Sequence, residues 1–150
     1  MAQDKIEREV VVAAPLEVVW SAVTEAEHVG SWFGDSAEVE LRPGGQVLLT
    51  WKDYGTFRGR VETVEPPHRF AFRWARPADV DPRPGNSTLV EFTLAEEGEG
   101  TRLRVVESGF ETLGVTESER AKHVAENEQG WREELGHLVE YVSKLKVASR

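Results

Sequence analysis

Between Arg69 and Trp74 large rings alternate with other residues: Phe70, Phe72 and Trp74 are separated by Ala71 and Arg73. Successive side chains of an extended strand point to opposite faces, so this spacing predicts a strand with three rings along one side. The same alternation sets Val47, Leu49 and Trp51 on one face of a second strand, and Val90, Phe92 and Leu94 on one face of a third. The chain then closes with helical spacing over residues 116–146, where Val124, Trp131, Leu135, Leu138 and Val142 fall on one face. Aromatic sheet faces and one long amphipathic helix imply an apolar interior between them, either a packed core or a ligand cavity.

The remaining segments fill in the order. Residues 6–12 read as a first strand, with Ile6, Val10 and Val12 on one face. Pro15 suits the first turn of a helix, where its missing N–H costs nothing. Leu16, Val19, Trp20 and Val23 continue that helix at i, i+3, i+4 and i+7. Residues 25–33 read as a short second helix or turn. Strands follow at 37–41, 46–52 (after the Pro43-Gly44-Gly45 turn), 56–64, 69–74, 88–94 and 101–107. In the 56–64 strand, Phe57, Gly59, Val61 and Thr63 oppose Arg58, Arg60 and Glu62. Residues 76–87, with three prolines, a glycine and two aspartates, read as a long connector loop. Short turns between strands favour an antiparallel sheet, and segregated helices make the class α+β.

Composition narrows the function classes. At 150 residues with 39% hydrophobic and 30% charged side chains, one soluble domain spanning 1–150 is the simplest reading. Cysteine is absent, which excludes disulfides, thiolate metal sites and a cysteine nucleophile, and fits a cytoplasmic location. The polar start Met1-Ala2-Gln3-Asp4-Lys5-Ile6-Glu7 lacks a signal-peptide core, and no apolar run approaches the ~20 residues of a membrane span. The net charge of −9 disfavours nucleic acid and anionic membranes as partners. Arg58, Arg60, Arg69 and Arg73 could form a basic patch, but the preferred reading is the solvated side of an antiparallel sheet.

Four ordered stretches resemble the START-like (SRPBCC) superfamily, in the branch related to the activator of the heat-shock-protein-90 ATPase. They are Ala14-Pro15-Leu16-Glu17-Val18-Val19-Trp20 with Trp32-Phe33; Pro43-Gly44-Gly45 with Gly59-Arg60-Val61 and Val64-Glu65-Pro66-Pro67; Phe92-Thr93-Leu94 with Gly100-Thr101-Arg102-Leu103; and Glu107-Ser108-Gly109-Phe110 with Gly130-Trp131 and Leu135 to Leu138. The resemblance implies a helix-grip fold: a curved antiparallel sheet of about six to seven strands around the C-terminal helix, with two short helices after the first strand. It also implies a cavity between sheet and helix. None of the four stretches is a catalytic signature, and fold alone licenses a pocket rather than a reaction.

The leading expectation is a domain that binds a small apolar or aromatic molecule without transforming it. Trp51, Phe72, Trp74 and Phe92 of the sheet, with Trp131 and Leu135 of the helix, are the candidate lining. Trp32 falls near the cavity mouth or plugs the core, and Trp20 belongs to the core. Beside the apolar helix face runs a polar stripe of His123, Asn127, Glu134, His137 and Tyr141. It reads first as an exposed flank and second as a pocket rim, with Asn127 the best single polar contact. His123 and His137 are fourteen residues apart, ~21 Å along a helix, so one metal cannot join them. Gly-x-Ser-x-Gly and Walker-type loops are absent, no cofactor is implied, and no residue stands out as catalytic. The abundant carboxylates read as solvated. Two rival readings remain: a chaperone-docking or other protein-interaction module, and a cyclase- or hydrolase-type enzyme using the same cavity. A homodimer through an exposed sheet face is a further expectation.

Overall fold

The computed structural model describes residues 5–148; residues 1–4, the start of the polar N-terminus, lie outside them. The chain runs β1 (Lys5–Val12), α1 (Leu16–Thr24), α2 (Ala26–Trp32), β2 (Ser36–Val39), β3 (Gln46–Trp51), β4 (Gly55–Glu65), β5 (Arg69–Ala75), β6 (Ser87–Glu97) and β7 (Gly100–Ser108). A single 3-10 turn, Phe110–Thr112, leads into the long helix α3 (Glu117–Ala148). The strands form one seven-stranded antiparallel sheet in the order β1-β7-β6-β5-β4-β3-β2. From β2 to β7 the chain meanders between neighbours, while α1 and α2 carry it from one edge of the sheet to the other. This is the α+β helix-grip architecture. No helix among the described residues is long and apolar enough to cross a membrane.

The alternation read from sequence sets the sheet's two faces. Phe70, Phe72 and Trp74 lie in a row along β5, with neighbouring ring centroids 5.7 and 5.8 Å apart. Val47 and Leu49, and likewise Val90, Phe92 and Leu94, turn inward and are buried. Val124, Trp131, Leu135, Leu138 and Val142 of α3 close over them and are buried as well. Each such large apolar side chain contributes roughly 1.5–3 kcal/mol on full burial.

The outer face carries cross-strand ion pairs: Arg69 with Glu91 at 2.7 Å, Arg73 with Glu62 at 3.8 Å and Arg102 with Glu9 at 3.1 Å. Lys5 and Arg104 hold the Glu7 carboxyl down at about 2. Arg58 reaches Asp81 at 3.6 Å, and Arg60 points to the Gly44 carbonyl. The four arginines of the suspected basic patch are therefore the solvated side of the sheet, where exposed pairs add little stability.

Three details depart from the sequence reading. Strand β4 loses strict alternation at a bulge between Val61 and Thr63, so its inward set passes from Val61 to Val64, opposite Phe70, and Thr63 does not belong to it. The Pro43-Gly44-Gly45 turn docks on that bulge: Gly44 N–H donates to Val61 O and Val61 N–H to Gly45 O. A Cβ on Gly45 would stand 2.1 Å from Glu40 O, so this close approach requires glycine. Second, the long loop before β6 is tied down rather than a free connector. Arg76 N–H bonds Asn86 O, Asp79 N–H bonds Thr56 O, and Gly114 N–H bonds Gly85 O. Third, Pro15 is the N-cap of α1 rather than a residue of its first turn, with ψ of 155°.

Candidate functional site

The inward rings converge at the end of the sheet where β3, β5 and α3 meet the exit of α2. Phe33, the residue after α2, lies between the faces of Trp32 and Trp131, at 5.0 Å and 24° and at 5.1 Å and 20°. Trp51 meets it edge-on at 5.1 Å and 87°, and Trp74 stands 5.7 Å away. Phe92 supports the group from below, edge to Trp131 at 5.9 Å. Offset-stacked and T-shaped contacts of this kind are favourable for aromatic quadrupoles.

A carboxylate sits inside this aromatic group. Glu107 is fully buried. It follows Leu103 and Val105 on the inward face of β7, so strand alternation itself points it into the core. Trp74 Nε1 donates to Glu107 Oε2 at 2.9 Å and Thr88 Oγ1 to the same oxygen at 2.6 Å. Trp131 Nε1 donates to Oε1 at 2.9 Å, and the Asn127 amide reaches both oxygens at 3.0 and 3.1 Å. Indole and amide N–H groups are donors only, which matches a carboxylate that only accepts. All these donors are neutral, so hydrogen bonding alone offsets the desolvation of the buried anion. In return the carboxylate fixes the orientation of two indoles from opposite walls, one on β5 and one on α3.

A second carboxylate closes the other side. Glu134 of α3 accepts from Gly34 N–H at 2.9 Å and from Trp51 Nε1 at 3.2 Å. Its other oxygen meets His137 Nδ1 at 2.7 Å. Gly34 has φ of +78°, and a Cβ there would come 2.8 Å from Thr50 O. The link between α2 and β2 thus turns tightly enough to present its N–H to Glu134. One turn beyond His137 along α3, Tyr141 OH bonds His28 Nδ1 of α2 at 2.6 Å.

The polar stripe on α3 is therefore not the exposed flank preferred from sequence. Asn127 and Glu134 face inward, Tyr141 binds α2, and His137 remains exposed at the rim. His123 is half-buried with its ring against Phe110. Desolvation holds its imidazole below the usual histidine value, with Arg76 acting in the same direction and Glu107 and Glu126 opposing. The unfolded chain thus binds this proton more readily. The contribution is complete above the unfolded histidine value of about 6.5 and is lost as pH falls through the lower folded value. Urea midpoints are expected to drop between pH 7.5 and 5, and His123→Gln should flatten that slope.

The structure brings Trp32, Trp51, Trp74, Phe92, Asn127 and Trp131 into one cluster, with Phe72 beside Trp74 and Phe92. Leu135 is buried on the same face of α3. Trp32 lies in the interior rather than at a mouth, 2% exposed and bonded through Nε1 to Ala22 O. The rings fill most of the space: a cavity of ≈ 10 Å³ is bordered by Trp32, Phe72 and Phe92 of the expected lining and by Phe33, while Trp51, Trp74, Asn127, Trp131 and Leu135 do not border it. Drug-sized ligand sites run ~300–1,000 Å³. Sequence reasoning missed Glu107 as a site residue and took the carboxylates as solvated. The period-two pattern Leu103, Val105, Glu107 was the signal that could have found it.

The fold recurs in known proteins. DynU16, from the dynemicin biosynthetic locus, is 31% identical with a TM-score of 0.75; the match covers 94% of this chain. The chain spans about half of that protein, 48% of its length. CalU16 from Micromonospora echinospora is 26% identical over 96% of this chain and 79% of its own, with a TM-score of 0.69. The Aha1 dimer from Colwellia psychrerythraea shares the fold at 16% identity, 93% and 96% coverage and a TM-score of 0.75. Among curated proteins none matches the chain. The family profile described as Activator of Hsp90 ATPase homolog 1-like protein matches residues 13–143. With its sheet order and gripped helix, the chain belongs to this Aha1-like family of the START-like superfamily.

Proposed function

We propose that this protein binds a small, flat, largely apolar molecule between the sheet and α3, and does not transform it. The observation that carries the reading is the fully buried Glu107 carboxylate among the rings, held by Trp74, Thr88, Asn127 and Trp131. A packed core gains nothing from a buried carboxylate and its ring of donors, a network that apolar residues replacing all of its members at similar volume would match or better in stability. A binding site gains a fixed polar anchor and two oriented indole walls. Trp32, Trp51, Phe72, Trp74, Phe92, Trp131 and Leu135 are the proposed lining, and Asn127 the polar contact beside the carboxylate. With only ≈ 10 Å³ enclosed, the rings must part for a ligand to enter. One structural relative, DynU16 at 31% identity, fits a small-molecule role through its biosynthetic locus.

Native mass spectrometry on protein purified from its own host tests this. A stoichiometric passenger, released on denaturation and aromatic in its absorbance, is the expected result. A bare-chain mass in every preparation would overturn the reading and favour protein docking, the activity in the family's name.

A further inference from the structure

Phe33 differs from the rings around it in how it is held. Trp51 lies in β3, Trp74 in β5 and Trp131 in α3, while Trp32 is the last residue of α2. Phe33 follows on the short link to β2, with extended backbone (φ −108°, ψ 92°) and the left-handed Gly34 behind it. The four indoles do not need Phe33 to stay in place. Trp32 is bonded to Ala22 O, Trp51 to Glu134, and Trp74 and Trp131 to Glu107. Phe33 N–H is held by Val29 O at 2.8 Å and Asp35 N–H by Thr50 O at 2.7 Å, so the link leaves only by breaking these bonds. Swung outward, it would leave a slot the width of one ring, walled by anchored indoles and open to the small cavity that Phe33 already borders.

That same motion changes the electrostatics of the slot. Glu134, 11% exposed with the link in place, accepts from Gly34 N–H, so displacing the link removes one of its donors. Glu107 lies at the other side, fully buried. Indole faces attract cations, most strongly where water is excluded. The net charge of −9 adds long-range attraction for a positive ligand. An anion would be repelled by both carboxylates. A neutral ring would fill the stack but leave Glu134 short of a partner.

We infer that Phe33 is a resident plug, and that the molecule displacing it is a planar aromatic cation, of the class of N-alkylated heteroaromatics. Its ring takes the place of the Phe33 ring between Trp32 and Trp131. Its positive charge takes the place of Gly34 N–H at Glu134. The inference rests on the ligand-binding reading above and names the ligand class.

The test is calorimetric titration of Phe33→Ala with two isosteric probes, N-methylpyridinium and toluene. The second matches the whole phenylalanine side chain, one methyl larger than the ring that the substitution removes. Binding of the cation at least tenfold tighter than toluene is the expected result. Adding Glu134→Gln should abolish that preference and leave toluene affinity unchanged. Equal or tighter binding of toluene overturns the cation inference while leaving the container reading intact. Failure of both probes to bind overturns the inference, and together with a bare native mass it removes the container reading too. If Phe33→Ala does not unfold cooperatively, Phe33→Leu, which keeps more of the packing, is titrated with the same pair and the same ratio decides.

Discussion

Glu107→Leu is expected to lower the free energy of unfolding by ~3–5 kcal/mol, because it strands several buried hydrogen-bonding groups at once. The substitution leaves the N–H groups of Trp74 and Trp131, the Thr88 hydroxyl and the Asn127 amide without their acceptor. Each buried polar group stranded in this way costs about 1–3 kcal/mol. The total falls short of their sum because the variant no longer desolvates a carboxylate. Glu107→Gln should lose less. It keeps the shape and one carbonyl acceptor but turns an NH₂ group toward a donor. Equilibrium urea unfolding followed by far-UV circular dichroism measures both. A leucine variant as stable as the parent would mean that the indoles find other acceptors, and the carboxylate would lose its role as anchor.

Trp131→Ala carries the second large effect, also ~3–5 kcal/mol, the usual cost of truncating a buried aromatic residue to alanine. It deletes the ring stacked on Phe33 at 5.1 Å and edge-on to Phe92 at 5.9 Å. It also takes one donor from Glu107. Against a total stability of ~5–15 kcal/mol for a domain of ordinary size, this loss leaves a narrow margin. Trp131→Phe separates the two causes. It keeps a ring in the stack and removes the N–H, so its expected loss is about 1.5–3 kcal/mol, the range for a hydrogen bond to a charged group. Combining Trp131→Phe with Glu107→Gln should give less than the sum of the single losses, because both substitutions cut the same bond. Additive losses would show that the indole N–H and the carboxylate do not act together.

Much of the architecture was legible because sheets and helices write different periods into a sequence. The rings of β5 and the apolar face of α3 could be assigned to one interior from spacing alone. The bulge in β4 was not legible. One extra residue between Val61 and Thr63 breaks the alternation without any glycine or proline to mark it. The anchoring of the loop before β6 was equally hidden, since it depends on partners from β4 and from the turn after β7.

The site was legible in its rings and largely illegible in its charges. Spacing alone could bring Trp51, Trp74 and Trp131 to the same interior. It could not say that a ring from the α2 link would fill the space between them. Asn127 was singled out for lying beside the apolar face, and it does point inward, but its amide is bound to Glu107. Glu134 and Tyr141 looked like solvated helix residues because their partners, Gly34 and His28, are about a hundred residues away in sequence. Helical periodicity reports which side of a helix a residue takes. It is silent on which distant element will arrive there.

Four of the five tryptophans are gathered around one phenylalanine, with Trp51 6.2 Å from Trp74 and Trp74 6.3 Å from Trp131. The fifth, Trp20, is spent against Phe70. At such separations the indole transitions couple and excitation passes readily among them. The protein's ultraviolet emission and its near-ultraviolet dichroism are therefore dominated by one small region of the molecule. Any event that parts those rings must change the colour and handedness of the whole protein's signal, with no label attached.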